Sequence, residues 1–334
     1  MPFYSSRHPT SGSRSDLPDA QREYAMRIAI MGSGGLGGYY GGMLARAGED
    51  VTFIARGAHL EAISADGLTV KLPSSEEFTI DAKATSDPGE IGPVDLVLFC
   101  VKTYDTDAAA EQISPMVGPN TMIASLQNGV DNGEKIEKVF GAGHYVPGVS
   151  YVNGLIERPG VIFVRSANMT SFGEMDGSVT PRIDELVGSM RHAGVEVESR
   201  TDMRSFLWEK FVAICGVGGA EILARQPIGP VLATPETKDL LVRLLQEVVA
   251  VAQGAGANVS SEFPDQLVEF ASSRLPPTHR SSMFADLLEG KRLEAESLNG
   301  TVVRLGREQG VNIPLNFAVY AALKPYADGP PAAP

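Results

Sequence analysis

Cysteine is scarce in this chain, with Cys100 and Cys215 the two among 334 residues. Two thiols make no disulfide framework, and a reducing cytoplasm suits them. Cys100 lies in an apolar run of strand type and Cys215 in one of helical type, so both are expected to be buried. Histidine is sparse as well. His8, His59, His144, His192 and His279 share no metal-ligand spacing, and no metal is expected. No apolar stretch approaches the roughly 18 residues of a membrane helix, which argues against a membrane partner. There is no basic excess: 28 Lys and Arg stand against 41 Asp and Glu, a net charge of −13. A nucleic-acid footprint would be basic, so nucleic acid is not expected as a partner. An acidic whole still permits a locally positive pocket for an anionic ligand. The G-x-S-x-G elbow of many serine hydrolases is missing too.

What is present is length and apolar content. A chain of 334 residues exceeds one ordinary domain, and 43% hydrophobic residues suffice for two cores. Residues 1–25 are rich in Ser, Arg and Pro, lack an apolar signal-peptide segment, and carry Asp16, Asp19 and Glu23. They read as a disordered extension, or as the product of an upstream start with Met26 the functional beginning.

The main motif is Gly32-Ser33-Gly34-Gly35-Leu36-Gly37, directly after the apolar run Ile28-Ala29-Ile30-Met31. An apolar helical segment follows from Tyr39 to Ala47, and then a second run, Val51-Thr52-Phe53-Ile54-Ala55. Strand, glycine turn, helix and strand is the setting in which G-x-G-x-x-G signifies dinucleotide binding. Gly32 would permit the tight turn, Gly34 the approach of a pyrophosphate, and Gly37 close packing of helix on strand. The phosphates would sit on free N–H groups at the positive helix end. A glycine-rich turn in another kind of α/β domain is the alternative. At the tip of the second strand, where an acidic residue usually holds the NAD ribose, stands Arg56. A fixed, forked cation suits a 2′-phosphate and favours NADP(H), unless Arg56 is an ordinary loop arginine.

Further along, residues 68–72 and 78–84 read as short strands around a turn. Val94 to Val101 reads as a strand buried on both faces, ending at Lys102, and Thr121 to Ser125 as another, ending at Gln127-Asn128-Gly129. Segment 148–173 adds strands to the same unit. Ligands collect beyond the carboxyl ends of the strands in an open α/β sheet, so the glycine loop, Arg56, Lys102 and Asn128 are expected at one edge. From about Thr201 the pattern turns helical. Leu240, Leu241, Leu244, Leu245, Val248, Val249 and Ala252 mark an amphipathic helix opened by Thr234-Pro235 and closed by Gly254. Its apolar face fits a core, or a homodimer interface. Another helix is expected from about Lys291 to Gln309, and a fraying tail from Ala327. The boundaries are thus 1–25 for the extension, 26–200 for an NADP-binding domain, 201–326 for a helical substrate and catalytic domain, and 327–334 for a flexible tail.

The helical half carries a second set of features: Trp208-Glu209-Lys210-Phe211, then Ser281-Ser282-Met283 with Asp286, Gly290, Glu294, Asn299-Gly300, Gly310 and Pro314. Together with the glycine loop and Gln127-Asn128-Gly129, these resemble the ketopantoate reductases (2-dehydropantoate 2-reductases) from Met26 to about Tyr326. The resemblance implies an α/β fold, with an N-terminal Rossmann-type doubly wound sheet and an all-α C-terminal domain. It also implies NADPH-dependent reduction of a 2-keto acid, as in pantothenate biosynthesis. Lys210 matches the general acid that orients the keto oxygen. Glu294 matches the acid that meets the nicotinamide ribose or supports the lysine. Lys102 and Asn128 match cofactor-side contacts, Asn128 also reaching the substrate. Ser282 matches a contact to the substrate carboxylate or hydroxyl.

One departure concerns the helix face beyond the lysine. The family usually places asparagines four and eight residues after it, but this chain has Ile214 and Gly218. Those positions share one helix face. A pocket without the amides leaves reduction intact and opens the alternative of a more apolar, aryl or branched 2-keto acid. A protein that binds NADPH without chemistry is a third reading, against which Lys210 and Glu294 both stand.

Overall fold

The computed structural model describes residues 25–330. Apolar runs alternating with helices build the first half: β1 (Arg27–Met31), α1 (Gly35–Arg46), β2 (Asp50–Ile54), α2 (Gly57–Asp66), β3 (Leu68–Lys71), β4 (Glu77–Ile80) and β5 (Lys83–Thr85). Then come β6 (Val94–Phe99), α3 (Thr106–Gln112), β7 (Val117–Ser125), α4 (Asn132–Phe140), β8 (Tyr145–Ser150), β9 (Asn153–Arg158), β10 (Val161–Ser166), β11 (Thr170–Phe172), α5 (Pro181–His192) and β12 (Val197–Ser199). The second half is helical: α6 (Met203–Ala224), α7 (Ile228–Ala233), α8 (Pro235–Gly254), α9 (Phe263–Arg274), α10 (Ser282–Leu288), α11 (Thr301–Gln309) and α12 (Pro314–Leu323).

The main sheet has the order β12-β11-β8-β7-β6-β1-β2-β5. From β8 to β5 every pairing is parallel, whereas β11 runs antiparallel to β8. The strand order reverses between β1 and β6, the crevice in which such sheets hold ligands. Leu96, Val97, Leu98 and Phe99 of β6 are all fully buried, as a central strand covered on both faces requires.

A smaller sheet, β4-β3-β10-β9, lies on the other side of α1. It corrects two expectations. Residues 78–84 are not one strand, because the chain leaves β4 in the small sheet and enters β5 in the large one. Segment 148–173 likewise divides, with β9 and β10 in the small sheet. The glycines of α1 make this sandwich possible. A side chain at Gly35 would collide with the backbone carbonyl of Gly154 in β9.

In the helical half α6 and α8 form the centre. Leu241, Leu244, Leu245, Val248, Val249 and Ala252 are buried against α6 and its neighbours within this chain, so that face of α8 is core. Truncating one of these leucines costs about 2–5 kcal/mol. Thr234 takes the cap position of α8 but its side chain makes no capping bond, leaving Pro235 to set the first turn. The helix expected from Lys291 starts later. Residues 291–294 are irregular, and a π-turn at Glu296–Gly300 leads into α11. Cys215 is buried, but Cys100 is only partly so. At the start of the expected tail, Ala327 O accepts from Leu293 N at 2.9 Å and Asp328 pairs with Arg292 at 3.2 Å. The N-terminal extension, but for Ala25, and the last four residues lie outside the described part. Among the described residues no helix is long and apolar enough to cross a membrane, and no group of three or more metal-ligating side chains comes together.

Candidate active site

The register of the parallel sheet assembles the site. Met31, Phe99, Ser125 and Pro147 are paired in sequence across β1, β6, β7 and β8. Three residues beyond each stand Gly34, Lys102, Asn128 and Ser150, so these four come out on one edge of the sheet. Arg56 follows β2 on the same edge.

Gly32 opens the loop with φ of +96°, and a side chain there would strike the backbone of Val101 after β6. A Cβ on Gly37 would collide with Gly32 O and Ile30, so the expected close packing of helix on strand is present. Gly34 is the N-cap of α1, has no side-chain cap, and faces open space. The first N–H groups of α1 are therefore not taken by a capping side chain, as an anion site at a helix N-terminus requires. The loop is braced from beneath. Buried Ser33 donates its hydroxyl to Ile54 O at 3.1 Å, and His59 Nε2 meets Ser33 O at 2.9 Å while His59 Nδ1 accepts from Gly160 N at 3.1 Å. Leu36 is half-buried and Arg56 exposed, donating to Gln112 Oε1 at 2.8 Å. These features fit a dinucleotide: an uncapped helix end for the pyrophosphate, and a solvent-facing cation at the tip of the second strand.

Lys102 is the hub between the two halves. Its ammonium donates to Glu294 Oε2 and Asp286 Oδ2, both at 3.1 Å. Glu294 is buried, 6% exposed, and its other oxygen accepts from Thr103 N at 3.0 Å and Thr103 Oγ1 at 2.9 Å. Burial works against the Lys102 charge, but the Glu294 and Asp286 carboxylates outweigh it and hold its pKa above the ordinary value. Nearby, Arg292 lies over the Tyr104 ring, 4.1 Å from its centre. Asn128 is half-buried, and its carbonyl accepts from Asn132 Nδ2 at 2.8 Å. Gln127 ties its loop to the β6 exit, donating to Val101 O at 3.0 Å and Thr106 Oγ1 at 2.8 Å.

Lys210 reaches the same edge from α6. Its ammonium donates to Ser150 O at 2.9 Å and lies 5.8 Å from the centre of the Tyr151 ring, within cation–π range. Burial lowers the Lys210 pKa to about 8, and the Glu294 carboxylate opposes that shift without bonding to it. Glu294 thus anchors to Lys102 and Thr103, not to Lys210. The exits of β6 and β8 are two strand spacings apart, about 10 Å at roughly 4.8 Å per strand, with Asn128 between them. Glu294 and Lys210 flank that gap.

Ile214 is half-buried, and the space beside Gly218 is taken by Ser281, whose Oγ would lie 3.3 Å from a Cβ there. Ser281 also caps α10, and its N–H donates to Glu221 Oε2 at 2.8 Å. Ser282 is exposed at the start of α10, so α10 presents two serines, of which Ser281 is the one against α6. Ser150 and Thr103, which hold Lys210 and Glu294, were not singled out from sequence. The available signal was position: Thr103 follows the strand-end Lys102, and Ser150 closes an apolar strand.

The description "Ketopantoate reductase PanE/ApbA" matches residues 28–177, and "Ketopantoate reductase PanE/ApbA C terminal" matches residues 202–327. The chain is 30% identical over 305 residues to the 2-dehydropantoate 2-reductase of Pyrococcus horikoshii, covering 90% of this chain and 97% of that one. The solved 2-dehydropantoate 2-reductase of Geobacter metallireducens superposes with a TM-score of 0.83 at 34% identity, over 90% of this chain and 99% of the other. A D-mandelate dehydrogenase solved with NADH and anilino(oxo)acetate shares the fold at a TM-score of 0.82 and 18% identity, over 90% and 98% of the two chains. With both halves matched in order, the chain belongs to the ketopantoate reductase family, oxidoreductases acting on a CH–OH group.

Proposed function

We propose that this protein reduces 2-dehydropantoate to pantoate with NADPH, Lys210 acting as general acid. The observation that carries this reading is the placement of Lys210 on Ser150 O, at the sheet edge that also bears the glycine loop. An ammonium has three N–H donors. Ser150 O takes one, which leaves donors for the oxygen of a keto group. That oxygen gains negative charge as the carbonyl carbon is reduced, and a cation within hydrogen-bond reach stabilises the charge and gives up the proton. A pKa of about 8 keeps Lys210 protonated at neutral pH yet close to release. When bound, the nicotinamide supplies the hydride. Gly32 to Gly37 would hold the pyrophosphate on the N–H groups of α1, Arg56 the 2′-phosphate, and Lys102, Asn128 and Glu294 the ribose end. Ser282 would meet the substrate carboxylate or hydroxyl.

The test is NADPH oxidation, followed by absorbance, with 2-dehydropantoate and a panel of branched and aryl 2-keto acids. Turnover on 2-dehydropantoate that disappears in Lys210→Ala supports the proposal. A second reading, reduction of a more apolar 2-keto acid, is favoured by Ile214, an apolar side chain one helical turn beyond Lys210 on α6. The D-mandelate dehydrogenase fold shows that this architecture houses aryl 2-hydroxy acid chemistry in another protein. Faster turnover on the aryl or branched acids, shifted towards 2-dehydropantoate by Ile214→Asn, would select that reading. NADPH binding with no turnover on any of them would overturn both.

A further inference from the structure

Tyr40 is fully buried in the second turn of α1, and the mechanism above makes no use of it. Its hydroxyl is within hydrogen-bond distance of Ser150 Oγ at 2.8 Å and of Thr170 Oγ1 at 2.5 Å. Ser150 and Thr170 are direct partners across β8 and β11. The Tyr40 hydroxyl therefore bridges a cross-strand pair at the point where β8 ends. Ser150 Oγ also accepts from Val152 N at 3.2 Å, which turns the chain out of the strand. The carbonyl of this same Ser150 is the acceptor that holds the Lys210 ammonium.

We propose that Tyr40 is a positioning residue for Lys210, acting through Ser150: its hydroxyl pins the end of β8 so that the Ser150 carbonyl stays aimed at the ammonium. The inference rests on the reductase reading for its kinetic consequence, but not for its structural one. Three independent bonds converge on Ser150, from α1, from the loop after β8 and from α6. A tyrosine whose hydroxyl served packing alone would not need to meet the one strand-end residue that carries the lysine. The arrangement also joins the helix of the glycine loop to the proton donor, since α1 begins at the loop and carries Tyr40 one turn later.

Lys210 is faced by Glu294 from the helical half and by the Tyr151 ring from the chain after β8. A carbonyl that accepts from an ammonium favours its charged form. Loosening that carbonyl leaves burial less opposed, so the Lys210 pKa falls.

The experiment compares Tyr40→Phe, Ser150→Ala and Ser150→Thr with the parent protein. Three quantities are measured: kcat and KM for the keto acid, NADPH affinity by fluorescence titration, and the Lys210 titration by NMR of protein labelled with 13C-lysine, assigned through Lys210→Arg. Tyr40→Phe is expected to lower kcat about tenfold, since small misplacements of a catalytic group are costly. It should leave NADPH affinity within about twofold and move the Lys210 titration to lower pH. Ser150→Ala should do the same, and Ser150→Thr, which keeps the hydroxyl, should restore the parent values. A lower melting temperature with kcat and the Lys210 titration unchanged would make Tyr40 merely structural and overturn the proposal. If Tyr40→Phe does not fold, the contrast between Ser150→Ala and Ser150→Thr decides in the same terms. Should the parent protein reduce no keto acid, the reductase reading fails, while the NMR titration of the variants still upholds or overturns the positioning role.

Discussion

Lys102 and Lys210 stand on the same edge of one sheet, two strands apart, and their surroundings drive them in opposite directions. Lys102 leaves the exit of β6 half in solvent and meets two carboxylates. Lys210 comes in from α6 and meets a neutral carbonyl and an aromatic ring. The pKa of Lys102 is held up by Glu294 and Asp286 against the cost of burial, whereas burial brings that of Lys210 down to about 8. One is a permanent cation, suited to holding two halves together or to meeting an anion. The other holds its proton loosely enough to give it away. Residue type is the same in both; what differs is whether a counter-charge accompanies the desolvation.

The strongest way to break this comparison is to remove each amine in turn. Lys210→Ala should lower kcat about 10²–10³-fold, the usual loss for a donor to a developing oxyanion, with NADPH affinity nearly unchanged. Lys102→Ala should act mainly on the cofactor's KM. A larger kcat loss in Lys102→Ala would reverse the assignment of roles. The parent kcat/KM should fall as pH rises above about 8, because the reactive form is the protonated amine and Lys210 loses its proton there. A profile flat to pH 10 or so would remove Lys210 as the proton donor.

Arg56 is a further cation on this edge, exposed at the tip of β2. If it meets a 2′-phosphate, Arg56→Ala should weaken NADPH by about tenfold to a hundredfold, the worth of a charged hydrogen bond of roughly 1.5–3 kcal/mol. NADH binding should hardly change. Equal losses for the two cofactors, measured by fluorescence titration, would reduce Arg56 to its bond with Gln112.

The contrast between the lysines also marks what could be read in the sequence. The glycine loop from Gly32 to Gly37, the buried run of β6, and the placement of Arg56, Lys102 and Asn128 at strand ends were legible, because period and turn chemistry are local. So was the apolar face of α8. The second sheet was not, because β4 and β5 lie in one polar segment and nothing local tells a strand which sheet it will join. The irregular stretch before Glu296 escaped for a similar reason: Lys291 to Gln309 has helical composition, and the bonds from Glu294 to Lys102 and Thr103 override it. Whether Glu294 serves Lys102 or Lys210 depends on register across three strands, which no motif spacing encodes.

That choice of partner leads to the finest prediction. Glu294 bonds to Lys102 and acts on Lys210 through space, where it favours the charged amine. Glu294→Gln keeps an acceptor for Thr103 but removes the charge, so the Lys210 pKa should drop and the alkaline limb of kcat/KM move to lower pH. Lys102→Met takes away the cation that offsets Glu294. The carboxylate then acts on Lys210 more strongly, and the limb should move to higher pH. Both shifts amount to a fraction of a pH unit, because charges at this range interact through a medium of high effective dielectric. Their opposite signs are the decisive feature. Two shifts in the same direction would mean that Lys102 and Lys210 do not share Glu294, and that the two amines are independent sites on one edge.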